Sequence, residues 1–580
     1  MTQASWVAKL FRSGSDTAHD TRLDLFWLLG LGLLLIATGI GLRDPWPADE
    51  PRFALIVRDM VATGEWLLPR VGGDVYGDKP PLFFWIMGVS LLVTGSLRVA
   101  FLLPSLLSGL ACLVLIYDLG RRLWNRESGL AAALSLLLTV QFVWQVRQAQ
   151  IDATLLFWVV LGVYGLVRHL LLGPSWGWYA VGWAAAGFGV ITKGVGFLPL
   201  LILIPFALLR GSWSPRLQGT SIAPWFIGPV AFLLAVCTWL VPMLLAANAD
   251  PTLAAYRDEI LFHQTVGRYT DAWHHREPFW YFIVKVIPAL WLPLTLLLPW
   301  LVPHWRKALQ ARDLRVGLLL SWVLLVVLFF SFSSGKRGVY VLPALPALAL
   351  VSGPYVLELV YRRSVQRAVF ILAAVISAVC LAAAAFMLIQ PERRQELLAN
   401  YEIDVFGPLL LIGGVGALVC AFARPSRGVL AYAGLLATVL LTVSYWVNPN
   451  MNAARSGAAF IARVEQLDDP SAELGFVGFK EQYLLNVHRP IVHFGHARWR
   501  EADLEAADAA LWLHGSPDRQ LVVNEATRQQ CFAGATAKSL GSANRSQWYI
   551  VRGQPKAECV ALGKAAALYH YAPPPRAELQ

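Results

Sequence analysis

The 580-residue chain is 57% hydrophobic and only 15% charged, and it carries a formal net charge of +11. An ordinary globular protein has about 25% charged residues, and a single soluble core stops growing near about 250–300 residues. The composition therefore excludes a soluble enzyme, a disordered chain and a disulfide scaffold, and it predicts a polytopic α-helical membrane protein.

The first long apolar run, residues 25–42, predicts a transmembrane helix, since it lacks the small-residue cleavage pattern of a signal peptide. Lys9, Arg12 and Arg22 precede this run. Basic residues favour the cytoplasmic end of a span, so we expect the N-terminus in the cytoplasm.

Further candidate spans follow along the chain at residues 100–119, 129–148, 153–171, 177–191, 195–209, 224–247, 280–303, 316–332, 339–359, 368–389, 405–423 and 428–447. With the first run, we predict about 13 transmembrane helices from these segments. The run Leu82–Val93 is too short to cross about 30 Å of hydrocarbon, so we expect it to lie in the interface. Counting it as a span would invert every later loop and break the positive-inside rule.

An odd number of crossings places the C-terminal part outside, in the periplasm if the cell is a Gram-negative bacterium. We therefore predict a transmembrane domain over residues 1–447, with outer loops at 43–99 and 248–279. Residues 448–580 mix short apolar runs with helix-like stretches, which predicts a small soluble α/β domain.

Four of the six cysteines and the excess of basic residues fit a membrane protein. Cys112, Cys237, Cys380 and Cys420 lie in apolar runs and are interpreted as packing residues. Cys531 and Cys559 could pair in an oxidising compartment, and the sequence leaves this open. Because basic residues flank the apolar spans, we expect membrane contact and no nucleic-acid partner.

In this topology the unusual polar residues gather at the outer face, where ionisable groups near helix ends are costly and usually functional. They are Asp49-Glu50-Pro51-Arg52, Asp78-Lys79, Arg147-Gln148-Ala149-Gln150-Ile151-Asp152, Thr192-Lys193, His263, Arg268, Tyr269, His274-His275, Glu277, Lys336-Arg337 and Tyr340. Cations hold phosphates, and a carboxylate can take a proton or stabilise positive charge at a sugar carbon. This mixture is typical of a site that moves a group between phosphate-bearing molecules.

Each element also has a plain structural interpretation. Asp49-Glu50 could be a solvated acidic pair, and Lys336-Arg337 could be interface anchors that snorkel. Asp78-Lys79 could form a local ion pair in a turn, and Asp152 could cap a helix without being excluded from catalysis. His274-His275 could be a polar loop. The functional interpretation depends on five separate loops supplying these groups to one face.

The motifs Asp49-Glu50-Pro51-Arg52-Phe53, Trp66-Leu67-Leu68-Pro69 and Gly77-Asp78-Lys79-Pro80-Pro81 resemble the membrane glycosyltransferases of the GT-C class. More narrowly, the chain is similar to the aminoarabinose transferase (ArnT-like) family, which is related to the protein O-mannosyltransferases. The similarity continues to Tyr340 and Pro343 and covers about residues 20–360. It implies a GT-C fold and the transfer of a sugar, 4-amino-4-deoxy-L-arabinose in this branch, from undecaprenyl phosphate to lipid A at the periplasmic face of the inner membrane.

The resemblance also implies roles for residues. Matched to the family motifs, the catalytic acids are Asp49, Glu50 and Asp152. The residues that hold the donor phosphate are Lys79, Lys193, Arg268, Lys336 and Tyr340. Asp78 and His275 match candidate ligands of a divalent metal, and Arg52 and Arg337 are assigned to the acceptor. Two positions depart from the family, since Asp78 replaces a longer glutamate and Arg337 replaces an apolar residue, which could signal a different acceptor.

The implied mechanism is a single displacement that inverts the anomeric carbon, with cations neutralising the leaving phosphate. If the acceptor is a phosphate, Asp49 would position it or stabilise charge on the sugar, whereas a hydroxyl acceptor would need Asp49 as general base. The alternatives are a transferase acting on protein or another envelope glycan, a lipid or sugar transporter, and a receptor-like module. No inverted repeat supports the transporter, and the many spans with clustered ionisable groups oppose the receptor.

Overall fold

The computed structural model describes residues 18–213, 221–250, 253–261, 276–401, 403–496, 498–564 and 568–574. The chain is mostly helical up to residue 467, and a sheet with helices follows. The helices as far as residue 258 are α1 (Ala18–Ile36), α2 (Glu50–Thr63), α3 (Leu82–Thr94), α4 (Leu97–Ala100), α5 (Leu103–Leu123), α6 (Arg126–Leu137), α7 (Val140–Val146), α8 (Ile151–Leu172), α9 (Trp176–Val190), α10 (Leu203–Trp213), α11 (Ile227–Ala249) and α12 (Ala254–Asp258).

The second half of the helical part begins with a π-helical turn at Phe282–Val286. The helices that follow are α13 (Ile287–Leu290), α14 (Leu298–Gln310), α15 (Leu314–Phe332), α16 (Leu345–Tyr361), α17 (Arg363–Ile389), α18 (Pro391–Tyr401), α19 (Phe406–Ala423), α20 (Gly428–Thr442), α21 (Asn448–Ser456) and α22 (Ala458–Leu467). Among the described residues, 8 helices are long and apolar enough to cross a membrane, or up to 10 if each of two bent pairs is one span. The chain is therefore a multi-pass membrane protein.

Two segments that the sequence predicts as single spans are bent. Residues 129–148 form α6 and α7, which meet at 68°, and residues 280–303 divide into Phe282–Leu290 and Thr295–Gln310, which meet at 103°. Pro288 and Pro293 explain the second break, because proline has no backbone N–H to continue a helix. The two breaks face each other, since the Val140 amide donates to the Leu292 carbonyl at 3.0 Å. This bond pairs backbone groups that the bends would otherwise leave unsatisfied within the membrane.

The first helix ends at Ile36, six residues before the predicted end, and it begins at Ala18. Gly39 and Gly41 both have φ of +83°, which turns the chain out of the helix. The last carbonyls of a helix need partners from outside it. Arg147 supplies them, because its guanidinium donates to the carbonyls of Leu35 at 2.5 Å and Thr38 at 3.0 Å.

A six-stranded mixed sheet lies in the C-terminal part, in the order β6-β7-β5-β3-β4-β8. A separate hairpin comprises β1 (Arg70–Val71) and β2 (Asp74–Val75) and lies within residues 43–99, the segment predicted as the first outer loop. The strands are β3 (Glu473–Phe476), β4 (Ile491–His493), β5 (Arg519–Asn524), β6 (Thr536–Ala543), β7 (Ser546–Arg552) and β8 (Tyr569–Tyr571). β3 pairs in parallel with β4 and β5, and the remaining pairs are antiparallel.

Short helices α23 (Glu481–Leu484), α24 (Ala502–His514), α25 (Glu525–Cys531) and α26 (Ala557–Leu562) accompany the sheet. The short apolar runs 521–523 and 548–551 lie in β5 and β7, the run 474–477 begins in β3, and the run 509–513 lies in α24. Cys531 and Cys559 form a disulfide with Cα atoms 5.7 Å apart, which answers the question that the sequence leaves open. The other four cysteines are free.

The first outer loop and the C-terminal part share one buried core. Phe53 and Phe84 of the loop belong to the same apolar cluster as Phe460, Phe476 and Tyr483. The shared core holds the polar residues of the loop in fixed positions beside the ends of the membrane helices.

The same contact is reinforced by hydrogen bonds. The Arg58 guanidinium donates to the Leu485 carbonyl at 2.9 Å, and Asp74 accepts from the His496 amide and the Tyr569 hydroxyl at 2.9 Å each. The C-terminal part is therefore docked on the outer loop and does not hang free from the last span.

Candidate active site

Asp49 stands at the N-terminus of α2, directly before Glu50 and Pro51. Its two carboxylate oxygens lie 3.7 Å from Arg52 Nη1 and 3.9 Å from Arg337 Nη1. Both distances are too long for hydrogen bonds, and in the described residues the Asp49 side chain accepts none. A quarter of the side chain is exposed, so this carboxylate is held between two cations and still able to meet a ligand.

Glu50 has the opposite environment. Its carboxylate is buried and forms a two-pronged ion pair with Arg43, and it also accepts from the backbone amides of Trp46 and Ala149 at 3.0 Å each. Four donors leave little room for a substrate atom. The described contacts of Glu50 thus favour a role in fixing the loop rather than in catalysis.

Asp152 and Lys193 form the second acid–cation group. The Lys193 ammonium lies 2.6 Å from the Asp152 carboxylate and 5.1 Å from the centre of the Tyr340 ring. Lys193 is placed by a tight turn in which Gly196 lies against Gly189 so closely that a Cβ atom on Gly196 would collide with the Gly189 backbone. The structure therefore brings together three of the predicted site residues.

The two groups share the same two chain segments. Gln148 and Gln150 line the cavity beside Asp49, and Asp152 follows two residues later. Arg337 faces Asp49, and its carbonyl accepts from the Tyr340 amide at 3.0 Å. The segments 148–152 and 337–340 therefore connect the Asp49 group with the Asp152 group.

The ammonium groups of Lys336 and Lys79 donate to backbone carbonyls. The buried Lys336 ammonium donates to the carbonyls of Ser333 at 2.6 Å and Glu277 at 2.8 Å, and burial lowers the pKa of this lysine. Lys79 donates to the carbonyl of its neighbour Asp78 at 3.0 Å. The Leu82 amide, three residues after Lys79, donates to the Ile191 carbonyl at 3.3 Å, which ties this loop to the turn that carries Lys193.

The C-terminal part supplies a residue that the sequence reasoning missed. Glu481, at the start of α23, accepts from Arg52 Nε at 2.7 Å. Burial alone would raise the pKa of Glu481, but Arg52 outweighs it and holds the pKa below its usual range. Burial also raises the pKa of Tyr76, whose ring lies beside Arg52. Glu481 thus fixes the arginine that approaches Asp49, although nothing local in the sequence marks it.

Arg268 and His275 lie outside the described residues, as do His263, Tyr269 and His274. Within the part that the structure describes, no group of three or more His, Cys, Asp or Glu side chains is arranged to hold a metal ion. Asp78 and His275 as metal ligands therefore stay a prediction.

A cavity of about 290 Å³ opens beside Asp49. Its polar lining includes Arg43, Asp49, Glu50, Arg147, Gln148, Gln150, Arg337, Asn448 and Arg455, and its apolar lining includes Ile36, Leu102, Leu106, Trp144 and Val443. We call it the arginine cavity. Arg147 is among the polar residues that the sequence predicts at the outer face, but no role in the site is predicted for it. Arg43 and Arg455 are not predicted as site residues. The position of Arg43 at the end of an apolar run could have signalled it, whereas Arg455 carries no local signal.

The sequence is similar to known membrane glycosyltransferases. Residues 78–241 match the family described as dolichyl-phosphate-mannose-protein mannosyltransferase. An undecaprenyl phosphate-α-4-amino-4-deoxy-L-arabinose arabinosyl transferase 1 of Pseudomonas fluorescens is 33% identical over 56% of this chain and 59% of its own length. Its counterpart in Pseudomonas aeruginosa is 32% identical over 55% of this chain and 58% of its own. The chain therefore spans somewhat less than two thirds of these curated relatives.

Among solved structures, ArnT from Cupriavidus metallidurans bound to undecaprenyl phosphate superposes on this chain with a TM-score of 0.71. The two are 21% identical, and the superposition covers 93% of this chain and 98% of that one. The chain has the ArnT fold. The predicted resemblance to the GT-C membrane glycosyltransferases, and within them to the ArnT-like branch, is confirmed. Together with the apolar helices, these bacterial relatives indicate a bacterial inner-membrane protein.

Proposed function

We propose that this chain is a glycosyltransferase that moves 4-amino-4-deoxy-L-arabinose, or a closely similar sugar, from undecaprenyl phosphate to a phosphate of lipid A. One observation carries the proposal, namely that Asp49 with Arg337 and Asp152 with Lys193 lie on shared segments of an ArnT fold. The names of the curated relatives support the choice of sugar and of polyprenyl carrier.

The reaction needs no proton transfer when the acceptor is a phosphomonoester. An acceptor phosphate oxygen forms the new bond to the anomeric carbon, and the bond from that carbon to the donor phosphate oxygen breaks. The electron pair leaves with undecaprenyl phosphate, so one negative charge moves from the acceptor phosphate to the donor phosphate. Cations are therefore needed on both sides of the sugar, and a preorganised cation stabilises charge where it develops.

We assign the donor side to Lys193 and Tyr340, with Lys79, Arg268 and Lys336 as further phosphate ligands. Asp152 orients the Lys193 ammonium through the 2.6 Å contact. Asp49 faces the sugar, where its carboxylate stabilises the positive charge that develops at the anomeric carbon. Arg52 and Arg337 hold Asp49 from either side and face the acceptor.

Glu50 takes a positioning role in this scheme, because its four donors come from the protein itself. A divalent metal bound by Asp78 and His275 would add positive charge near the donor phosphate. No step above depends on it.

We further infer about 13 crossings, with the site and residues 448–580 in the periplasm. Besides the 8 long helices and 2 bent pairs, α1, α9 and the short apolar helix Leu198–Leu209 supply three more apolar segments. The disulfide supports an outer location for the C-terminal part, because disulfides persist in the oxidising periplasm. We place the domain boundary near residue 447, after the π-helical turn Val443–Val447.

The experiment that tests the function is mass spectrometry of lipid A from cells that make the aminoarabinose donor but lack their own transferase. Expression of this chain is expected to raise the mass of lipid A by one aminopentose, and Asp49→Asn is expected to remove most of the gain. An unchanged lipid A with a stably inserted protein would contradict the proposal.

The match to the protein mannosyltransferase family favours a second candidate, transfer to a hydroxyl of a protein. A hydroxyl acceptor must lose a proton, so Asp49 would then act as general base. Sugar found on envelope proteins rather than on lipid A in the same experiment would favour this candidate.

A further inference from the structure

The arginine cavity holds more positive than negative charge. Four arginines line it, together with the carboxylates of Asp49 and Glu50. Arg43 neutralises Glu50, and Arg337 approaches Asp49. Within the described part of the chain, neither Arg147 nor Arg455 has a carboxylate within ion-pair distance, so two charges in the lining are uncompensated. Uncompensated cations beside a membrane are costly unless an anion meets them.

Arg455 is the arginine best placed to bind that anion. Its guanidinium lies 5.0 Å from the centre of the Trp46 ring, and one N–H donates to the Pro47 carbonyl at 3.2 Å. Trp46 is itself fixed, because its indole N–H donates to Asn452 at 3.0 Å. An arginine has five N–H donors in a planar fork that fits phosphate. Stacking and a single carbonyl bond hold the fork in place and leave most of its donors for a ligand.

Arg147 adds positive charge to the cavity, but its N–H donors are already used within the protein. Its donors are used by the carbonyls at the end of α1 and by the hydroxyls of Thr38 and Ser444. Its positive charge nevertheless remains in the lining and raises the attraction for an anion.

The apolar part of the lining indicates an amphipathic ligand. Ile36, Leu102, Leu106 and Val443 line the same cavity as the arginines, and Ile36 and Leu106 belong to helices α1 and α5. At about 290 Å³ the cavity is at the small end of ligand sites, which run from about 300 to 1,000 Å³. It suits the phosphorylated headgroup of a lipid rather than the whole lipid.

The occupant belongs to the acceptor side. Lys79, Lys193, Lys336 and Tyr340, the donor-phosphate residues within the described ranges, do not line the cavity, whereas Asp49 and Arg337 do. Displacement at the anomeric carbon needs the attacking and leaving oxygens on opposite sides of the sugar. A cationic cavity that contains Asp49 and Arg337, apart from the Lys193 and Asp152 pair, fits the attacking phosphate.

We propose that the arginine cavity binds the phosphomonoester headgroup of the acceptor lipid and that Arg455, from the start of the C-terminal part, is its principal phosphate ligand. This inference rests on the proposed function, because only that function makes the bound lipid the acceptor. The binding that it asserts can be measured without turnover.

The test uses the full-length protein in nanodiscs, without donor, and measures binding of lipid A and of lipid A with its phosphates removed. We expect lipid A to bind at least about tenfold more tightly than the dephosphorylated form, and Arg455→Ala to remove most of that difference. Arg455→Lys should keep part of it, since lysine keeps the charge but not the fork. Binding of undecaprenyl phosphate should not change in either variant.

Arg463→Ala is the matched control. Arg463 also lies on a helix of the C-terminal part, donates to backbone carbonyls at 3.0 and 3.2 Å, and lies over an aromatic ring, that of Phe460. It is outside the cavity lining, so its loss should leave lipid A binding unchanged. A thermal melt of each variant establishes that the protein is folded.

In turnover assays, Arg455→Ala should raise the acceptor KM about tenfold and change kcat much less, because a ground-state contact is lost. Equal binding of the two lipid A forms, or weaker undecaprenyl phosphate binding in Arg455→Ala, would overturn the inference. So would competition by inorganic phosphate at the concentration of the lipid, which would assign the cavity to free phosphate. Phosphate-dependent lipid binding without any sugar transfer would contradict the proposed function and leave the inference standing.

Discussion

Asp49 and Glu50 are neighbours in the sequence, but their side chains have unlike surroundings. Asp49 has two cations near hydrogen-bonding range and no hydrogen bond, whereas Glu50 has four donors. A carboxylate without hydrogen bonds to the protein can interact with substrate. A carboxylate whose oxygens already accept four hydrogen bonds stabilises the local structure instead.

Asp49→Asn is therefore expected to lower kcat by about 10²–10⁴-fold while leaving the melting temperature nearly unchanged. The amide keeps the shape but loses the charge that stabilises the sugar. Initial rates with a polyprenyl-phosphate sugar, compared with thermal melts of the same preparations, provide the measurement. Turnover within about threefold of wild type would remove Asp49 from the mechanism.

Glu50→Gln is expected to act on stability instead. Removing one partner of a buried ion pair leaves Arg43 uncompensated and costs about 3–5 kcal/mol. The variant should melt at a clearly lower temperature, and Glu50→Leu combined with Arg43→Met should recover part of the loss. A normal melting temperature together with lost turnover would return Glu50 to the catalytic acids, as the sequence predicts.

Asp152 and Lys193 provide a coupling test. Their contact is 2.6 Å, so Asp152→Asn and Lys193→Ala should not be additive in their effects on kcat. We expect each single variant to lose at least about tenfold and the double variant to lose little more than the worse single one. Fully additive losses would show that the two side chains act separately on the reaction.

The site illustrates what sequence can and cannot supply. Asp49, Asp152 and Lys193 stand out because ionisable groups at the ends of apolar helices are expensive. Glu481 and Arg455 are ordinary residues of the tail, and only the shared core brings them to the outer loop. The partner of a charged residue hundreds of positions away leaves no mark in local composition.

At the scale of elements, apolar runs predict where helices lie but not whether they are straight. The bends at α6–α7 and near Pro293 are satisfied by a bond between the two breaks, from Val140 to Leu292. Proline in the sequence predicts a break in a helix, but the segment that pairs with the broken backbone is known only from the tertiary structure. The end of α1 at Ile36 also depends on tertiary contacts, because Arg147, directly after α7, donates to the carbonyl of Leu35.

The docking of β4 on the β1–β2 hairpin predicts a pH dependence. Buried His493 approaches the Gly72 carbonyl through Nε2 at 2.7 Å, while Nδ1 accepts from the Gly495 amide at 3.2 Å. This pattern needs a neutral ring. Burial lowers the pKa of His493 from 6.5 to about 4, so between these values the unfolded chain binds a proton that the folded chain refuses.

Stability from His493 is thus complete above pH 6.5 and declines as the pH falls toward 4. The loss should reach about 2 kcal/mol by pH 5. Burial also lowers the pKa of half-buried His496, whose amide donates to Asp74 of the same hairpin, so His496 adds in the same direction. Thermal melts at pH 7.5 and 5.0 should show a smaller shift for His493→Gln than for wild type. His514→Gln, at an exposed hydrogen bond with Gln554, is the control. Equal shifts in all three proteins would remove His493 as the cause.

At the scale of the molecule, the charge transferred in the proposed reaction links the two compartments. In that reaction the acceptor phosphate loses one negative charge and the donor phosphate gains it. We assign the arginine cavity to the acceptor phosphate and Lys193 to the donor phosphate, so each end of the proposed transfer has a positive environment. In this scheme the C-terminal part supplies Arg455 to the acceptor side, and its Glu481 holds Arg52, which gives a physical reason for its docking.

The outward placement of this assembly is the last prediction. Arg393, in α18 between α17 and α19, is exposed and should face the periplasm, whereas Arg427, before α20, is exposed and should face the cytoplasm. Single-cysteine variants Arg393→Cys and Arg427→Cys can be treated with a membrane-impermeant maleimide in intact spheroplasts. The background should be low, because the four free native cysteines lie in apolar helices and the other two are paired. Labelling of Arg393→Cys in intact spheroplasts, with Arg427→Cys labelled only after permeabilisation, fits an outer site. The reverse pattern would turn the arginine cavity toward the cytoplasm, where the proposed lipid A acceptor is not presented.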